Sequence, residues 1–81
     1  MMDTQQIKAW IEAGLPDATV EVVGDGRHFQ ALIVSPAFEG KTLIQRHRMV
    51  KSLLQEQFDS GILHALSMRT LTPEQWAREK T

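Results

Sequence analysis

A long amphipathic segment between two strand-like segments is the feature that most constrains this fold. From residue 41 to residue 58, apolar positions recur with the i, i+3, i+4 spacing of a helix that buries one face. The predicted buried stripe consists of Leu43, Ile44, His47, Val50, Leu53, Leu54 and Phe58. Because a helix joins the strands on either side of it, those strands should be parallel neighbours with a right-handed crossover.

Two runs rich in β-branched and aromatic residues precede this helix. Residues 18–24 and 28–35 flank the sequence GDGR at positions 24–27. Two glycines around an aspartate are typical of a hairpin turn, because glycine tolerates positive φ. The second run is apolar almost throughout, which predicts that it lies in the centre of the sheet. A turn around Gly40 should follow the hairpin.

The remaining elements complete an alternating order. Apolar spacing followed by Gly14 and a proline predicts a helix over residues 4–13. The stretch GILHALSMRT, residues 61–70, predicts a third strand, and Thr72 with Pro73 begins a final helix. The order α-β-β-α-β-α predicts an α+β fold with a three-stranded mixed sheet covered on one face by helices. We expect residues 1–81 to form a single domain.

Composition excludes several classes of protein. The chain has 81 residues and no cysteine, so it forms no disulfide and no thiolate metal site of its own. Lys and Arg number 9 against 10 for Asp and Glu, and the net charge of −1 gives nucleic-acid binding no support. The longest apolar run, FQALIV, is too short to span a bilayer, and the N-terminus lacks a signal-peptide pattern. We expect a cytoplasmic protein without a membrane partner.

The sequence contains no visible catalytic set, so we expect a protein that is not an enzyme. Its three histidines are the candidate ligands for a soft or borderline metal. His47 falls on the predicted buried stripe, which favours a structural role. His28 stands at the mouth of the second strand and His64 lies in the third, so parallel pairing would place both near one end of the sheet. Two imidazoles cannot complete a tetrahedral site, which leaves a site shared with a partner or two structural histidines.

The long helix also carries a group of basic residues. Its cationic side chains are Lys41, Arg46, Arg48 and Lys51. They could contact nucleic-acid phosphates or an acidic partner. The alternative is a solvated face, with His47 packed on the apolar stripe.

Longer motifs identify a family resemblance. FEGKTLIQRHRMV, residues 38–50, and ILHALSMRTLTPEQW, residues 62–76, closely resemble the BolA family. The sequence GDGRHF in the hairpin is similar to the bacterial acid-stress, IbaG-like branch. The resemblance extends over nearly the whole chain and implies a fold similar to a type II KH domain.

The resemblance also implies a partner and a cofactor. BolA-like proteins form heterodimers with monothiol, CGFS-type glutaredoxins, and a 2Fe–2S cluster bridges the two proteins. The cluster is shared with the glutaredoxin thiol and glutathione, so the isolated monomer would hold none. The family's third-strand histidine ligand corresponds to His64. The second ligand comes from the first hairpin loop, where His28 is the only histidine and Asp25 stands where some relatives have cysteine.

The resemblance implies roles in iron–sulfur trafficking, iron homeostasis or the stress response, including acid stress. A second function class is a nucleic-acid-binding transcriptional regulator, in which Lys41, Arg46, Arg48 and Lys51 would contact phosphates. Type II KH domains use a GXXG loop, and the corresponding region here contains only Gly40. With a net charge of −1, binding to DNA should be weak and steeply salt-dependent. The sequence leaves open whether the apo protein forms a homodimer.

Overall fold

A computed structural model of the protein describes residues 4–25, 27–55 and 65–80. In chain order the elements are α1 (Thr4–Gly14), β1 (Thr19–Gly24), β2 (Phe29–Val34), a short 3-10 helix (Pro36–Phe38), α2 (Leu43–Gln55), β3 (Leu66–Leu71) and α3 (Pro73–Lys80). Apart from the added 3-10 turn, this is the predicted order of α+β elements.

The three strands form one mixed sheet in the order β1-β2-β3. β1 and β2 are antiparallel, with Gly24 opposite Phe29 at the hairpin end. β2 and β3 are parallel, and Phe29 is also the register partner of Leu66. The predicted central position of the second strand and the parallel pairing across α2 are therefore confirmed.

One face of the sheet packs against helices and forms the core. α1 contributes Ile7 and Ile11, and α2 contributes Val50 and Leu54, all four with at most 1% of their surface exposed. The opposite face is exposed and forms a shallow open groove. It is lined mainly by Glu21, Val23, Gln30, Leu32, Ser67 and Arg69. This arrangement confirms the predicted covering of the sheet on one face.

The two helices that follow the sheet strands begin with the same motif, a reciprocal capping box. Thr42 Oγ1 accepts the N–H of Gln45 at 3.2 Å, and Gln45 Oε1 accepts the N–H of Thr42 at 2.9 Å. At α3, Thr72 Oγ1 and Gln75 Oε1 accept in the same reciprocal way at 3.2 and 3.0 Å. Each box satisfies two N–H groups that a helix N-terminus otherwise leaves unpaired. The start of α3 agrees with the prediction, whereas α2 begins at Leu43 rather than at residue 41 because Thr42 is the cap.

The predicted buried stripe of α2 is wrong in its first turn. Leu43 and Ile44 are 63% and 66% exposed, whereas Arg46 is only 7% exposed. The buried positions of α2 are Arg46, Val50 and Leu54, which recur every four residues. His47, predicted to lie on the stripe, is half-buried beside it.

Some sequence predictions fall outside the described residues. The end of the long helix, residues 56–58, and the start of the third strand, residues 61–64, are among them. The described part of the third strand runs from Leu66 to Leu71, one residue beyond its predicted end. In the ranges that the structure covers, no helix is long and apolar enough to cross a membrane.

Candidate functional site

The candidate site lies at the end of the sheet where β2 and β3 begin. The Phe29 N–H donates to the Ala65 carbonyl at 2.9 Å, so the chain entering β2 is held beside the chain entering β3. His28 directly precedes Phe29, and it is exposed. His64 directly precedes Ala65 in the sequence and lies outside the described residues. The common starting end of the two strands is thus confirmed, and the position of His64 stays a prediction.

Both polar backbone groups of His28 are hydrogen-bonded to one residue, Asp25. The His28 N–H donates to Asp25 Oδ1 at 2.9 Å, and the His28 carbonyl accepts the N–H of Asp25 at 3.2 Å. Asp25 Oδ1 also accepts the Arg27 N–H at 2.9 Å. An aspartate that bonds the backbone two and three residues ahead is the usual means of closing a tight turn. The loop therefore holds the His28 backbone while its side chain reaches solvent.

The same contacts stabilise the charged form of Asp25. Hydrogen bonds from the backbone N–H groups of His28 and then Arg27 hold the pKa of the Asp25 carboxyl below its ordinary value of 3.8. A smaller effect in the same direction comes from the nearby charge of His28. Asp25 is therefore a carboxylate whose Oδ1 is engaged within the loop.

Gly24 allows the chain to approach itself closely at this turn. A Cβ atom at position 24 would lie 2.5 Å from Cδ1 of the Phe29 ring and 2.8 Å from the His28 carbonyl oxygen. The predicted hairpin is present, but Gly24 does not use the positive φ that glycine tolerates, since Gly40, at φ +76°, is the positive-φ residue in the described ranges. Space, rather than backbone conformation, requires glycine at position 24.

The donor atoms at this end do not make a complete metal site. Within residues 4–25, 27–55 and 65–80, no group of three or more His, Cys, Asp or Glu side chains could hold a metal ion. The sequence also has no cysteine to supply a thiolate. His28 offers one imidazole donor here, which fits a centre whose other ligands come from elsewhere.

The structure removes Arg46 from the predicted nucleic-acid contacts. Its Nε donates to the Lys41 carbonyl at 3.0 Å, and its Nη1 donates to the Thr70 carbonyl at 3.1 Å and to Gln75 Oε1 at 3.0 Å. Its guanidinium also lies 5.8 Å from the centroid of the Phe38 ring. A buried guanidinium bonded to three separate segments is a structural tie, so Arg46 cannot reach a phosphate without leaving the core.

The other three predicted cations of α2 and its approach remain exposed. These are Lys41, Arg48 and Lys51. None of them pairs with an acidic residue in the described part of the chain, where the ion pairs are Arg69–Glu79 and Arg78–Glu74. The basic surface is thus smaller than the sequence predicted.

Several residues of the motif at positions 38–50, which resembles the BolA family, have structural roles. Phe38 and Val50 have no exposed surface, Gly40 adopts positive φ, and Arg46 is the buried tie. Sequence reasoning missed this tie and the Thr42–Gln45 capping box. The repeated T-x-x-Q spacing at positions 42–45 and 72–75 was the available signal for the capping box.

Comparison with known proteins agrees with the fold and with these motifs. The family profile described as "BolA-like protein" matches residues 12–75. The acid stress protein IbaG of Escherichia coli K12 is 32% identical over 79 residues, which cover 98% of this chain and 94% of that protein. Human BolA-like protein 2 is 52% identical over 52 residues, but the match spans 64% of this chain and only 58% of the human protein.

A solved structure shows the same architecture. The BolA protein homologue from Coxiella burnetii superposes with a TM-score of 0.84 at 46% sequence identity, covering 96% of this chain and all of the other. The mixed sheet, the burial of Phe38, Arg46 and Val50, and these matches together define a BolA-type fold. This chain belongs to the BolA family.

Proposed function

We propose that this protein is a non-enzymatic partner of a monothiol, CGFS-type glutaredoxin. In the heterodimer it would share a bridging 2Fe–2S cluster, with His28 and His64 as its ligands and thiolates from the glutaredoxin and glutathione as the others. The role would be in iron–sulfur trafficking, iron homeostasis or the stress response, and for the last of these the E. coli relative is named an acid stress protein.

The observation that supports this proposal most strongly is the presentation of His28. Both polar backbone groups of His28 are bonded to Asp25, and the next residue, Phe29, is bonded to Ala65 at the entry to β3. An exposed imidazole on a fixed backbone is suited to a ligand that another protein must reach. Its place next to the entry of β3 also fits a second ligand from the residue that precedes Ala65.

The incomplete donor set supports a shared cluster in particular. A 2Fe–2S cluster takes four protein or thiol ligands, and the described part of this chain offers no group of three. When bound, a cluster with histidine in place of thiolate has a raised reduction potential. This chain's part is to hold and orient the imidazoles, and its lack of cysteine leaves the thiolates to the partner.

The test is visible circular dichroism of a cluster-loaded monothiol glutaredoxin. Addition of the wild-type protein should change the cluster spectrum, because imidazole ligation alters the electronic environment of the iron. His28→Ala and His64→Ala should each reduce or abolish this change.

His47→Ala is the matched control, because it removes the third histidine from the half-buried side of α2. It should behave like wild type once far-UV spectra show that all three variants are folded. An unchanged cluster spectrum with the wild-type protein would contradict the proposal. An equal loss in all three variants would show that histidine ligation is not the cause.

A nucleic-acid-binding regulator is the second candidate. One observation favours it: Lys41 before α2 and Arg48 and Lys51 on α2 are exposed, and none of them forms an ion pair within the described residues. The burial of Arg46 and the exposure of Leu43 and Ile44 on the same helix count against it, because aliphatic side chains gain nothing from phosphates.

A further inference from the structure

We propose that Asp25 is a positioning residue for the imidazole of His28. This inference rests on the proposed function, since His28 matters as a ligand only if the cluster is shared. Asp25 would act through the backbone of His28 and would not itself touch the cluster.

Two of the three hydrogen bonds that Asp25 makes among the described residues of this loop are with His28. Of the two polar backbone groups of His28, the N–H donates to Asp25 Oδ1 and the carbonyl accepts from the Asp25 N–H, at 2.9 and 3.2 Å. Oδ1 receives a second N–H from Arg27 at 2.9 Å. A charged acceptor makes stronger hydrogen bonds than a neutral one, so the carboxylate is well suited to hold this turn.

The segment on the other side of His28 is equally fixed. Phe29 is only 3% exposed, and its N–H is bonded to Ala65. Gly24 brings the opposite strand into contact with both the Phe29 ring and the His28 carbonyl. The backbone of His28 is therefore held on one side by Asp25 and on the other by Phe29. Loss of the Asp25 carboxylate would release the first of these two attachments.

The hydrogen bonds at Oδ1 give this oxygen a role in closing the loop. Two N–H groups already occupy this oxygen, and a metal bound there would compete with the bonds that close the turn. The geometry thus assigns loop closure to Oδ1 of Asp25, and in the proposed function the ligand is His28, three residues later.

The experiment compares Asp25→Ala and Asp25→Asn with wild type by two measurements. NMR amide hydrogen exchange reports on the turn without any metal, and visible circular dichroism with cluster-loaded monothiol glutaredoxin reports on ligation. In Asp25→Ala, exchange of the Arg27 and His28 amides should rise by about fivefold or more, as expected from the loss of one hydrogen bond. The spectral change should weaken with it.

Asp25→Asn keeps an oxygen that can accept both N–H groups but removes the charge. It should lie between wild type and Asp25→Ala in both measurements, which a purely electrostatic effect on the cluster would not produce. Asp17→Ala is the control for loss of an exposed aspartate outside this loop and should match wild type. Strand amides elsewhere report that each variant is folded.

The double variant Asp25→Ala/His28→Ala tests whether Asp25 acts through His28. Its cluster spectrum should equal that of His28→Ala alone, and a further loss would overturn the proposal. Wild-type exchange rates, or a wild-type spectral change, in Asp25→Ala would also overturn it. If wild type itself leaves the cluster spectrum unchanged, the proposed function fails, and exchange at His28 alone then decides whether Asp25 holds the turn.

Discussion

Arg46 is a buried residue that is hydrogen-bonded to three separate segments of the chain. It joins the carbonyl of Lys41, before α2, to the carbonyl of Thr70, near the end of β3, and to the side chain of Gln75 in α3. Arginine is suited to this because its planar guanidinium carries several donors in fixed directions. Thr70 is itself 2% exposed, and its Oγ1 has no partner in the described part of the chain.

We predict that Arg46→Ala is strongly destabilising. Removing the guanidinium leaves buried acceptors without their donor and opens space beside Phe38, which should lower the free energy of unfolding by about 3 kcal/mol. Chemical denaturation measures this loss. Arg48→Ala, two residues along on the exposed side, is the matched control and should change stability by less than about 0.5 kcal/mol. Equal effects of the two substitutions would refute the assignment of Arg46 as a structural tie.

At the scale of elements, where a helix begins and which of its faces is buried are set by different interactions. The capping residues are local in sequence, and the start of α3 at Thr72–Pro73 was predictable from them. The buried face of α2 was not predictable, because counting apolar positions places Leu43 and Ile44 in the core instead of Arg46. Two of the three hydrogen-bond acceptors of the buried Arg46 lie 24 and 29 residues away in sequence, and no local pattern indicates them.

The two capping boxes provide a matched pair for testing how elements are joined. Within the described residues, Gln45 Oε1 accepts only the N–H of Thr42 in its own capping box, whereas Gln75 Oε1 accepts both the N–H of Thr72 and Arg46 Nη1. We predict that Gln45→Ala lowers the free energy of unfolding by about 0.5 kcal/mol and Gln75→Ala by about 2 kcal/mol, since only the latter leaves a buried arginine partly unpaired.

Thermal or chemical denaturation of the two glutamine variants compares the boxes directly. A double-mutant cycle between Gln75→Ala and Arg46→Ala should then show coupling, because the two residues are in contact. Equal losses from Gln45→Ala and Gln75→Ala, or an additive cycle, would contradict a link between α2 and α3.

For the molecule as a whole, the topology was predictable from the sequence. The set of residues that form the candidate site was predictable only in part. The α-β-β-α-β-α order follows from periodicity, and the helix between β2 and β3 favoured the parallel pairing that the structure shows. That pairing brought the segment before Phe29 next to Ala65, as expected for His28. The role of Asp25 was not predictable, because it depends on which backbone groups the loop leaves within reach of one carboxylate oxygen.

The overall charge limits the second candidate function. Three exposed cations, Lys41, Arg48 and Lys51, remain on a chain of net charge −1. If they bind duplex DNA, three phosphate contacts imply affinity about fortyfold weaker at 200 mM than at 50 mM salt. Fluorescence anisotropy with labelled duplex measures this dependence.

Substitution of those three cations by alanine should abolish any such binding. A triple variant of equal net charge, in which the alanines replace Lys8, Arg78 and Lys80, should retain it. Equal binding by the two triple variants, or no binding by wild type at 50 mM salt, would remove the nucleic-acid hypothesis.

Arg46 is buried, whereas the loop that carries His28 is exposed, and this difference affects how such chains are recognised across genomes. The residues that make this sequence recognisable, such as Phe38, Arg46 and Val50, are buried, whereas His28 lies on the surface. A descendant could lose its loop histidine and still match the family in full. Membership therefore reports that the scaffold has been inherited, and whether a given member can ligate iron has to be judged separately from the few positions around its first hairpin and the entry to its last strand.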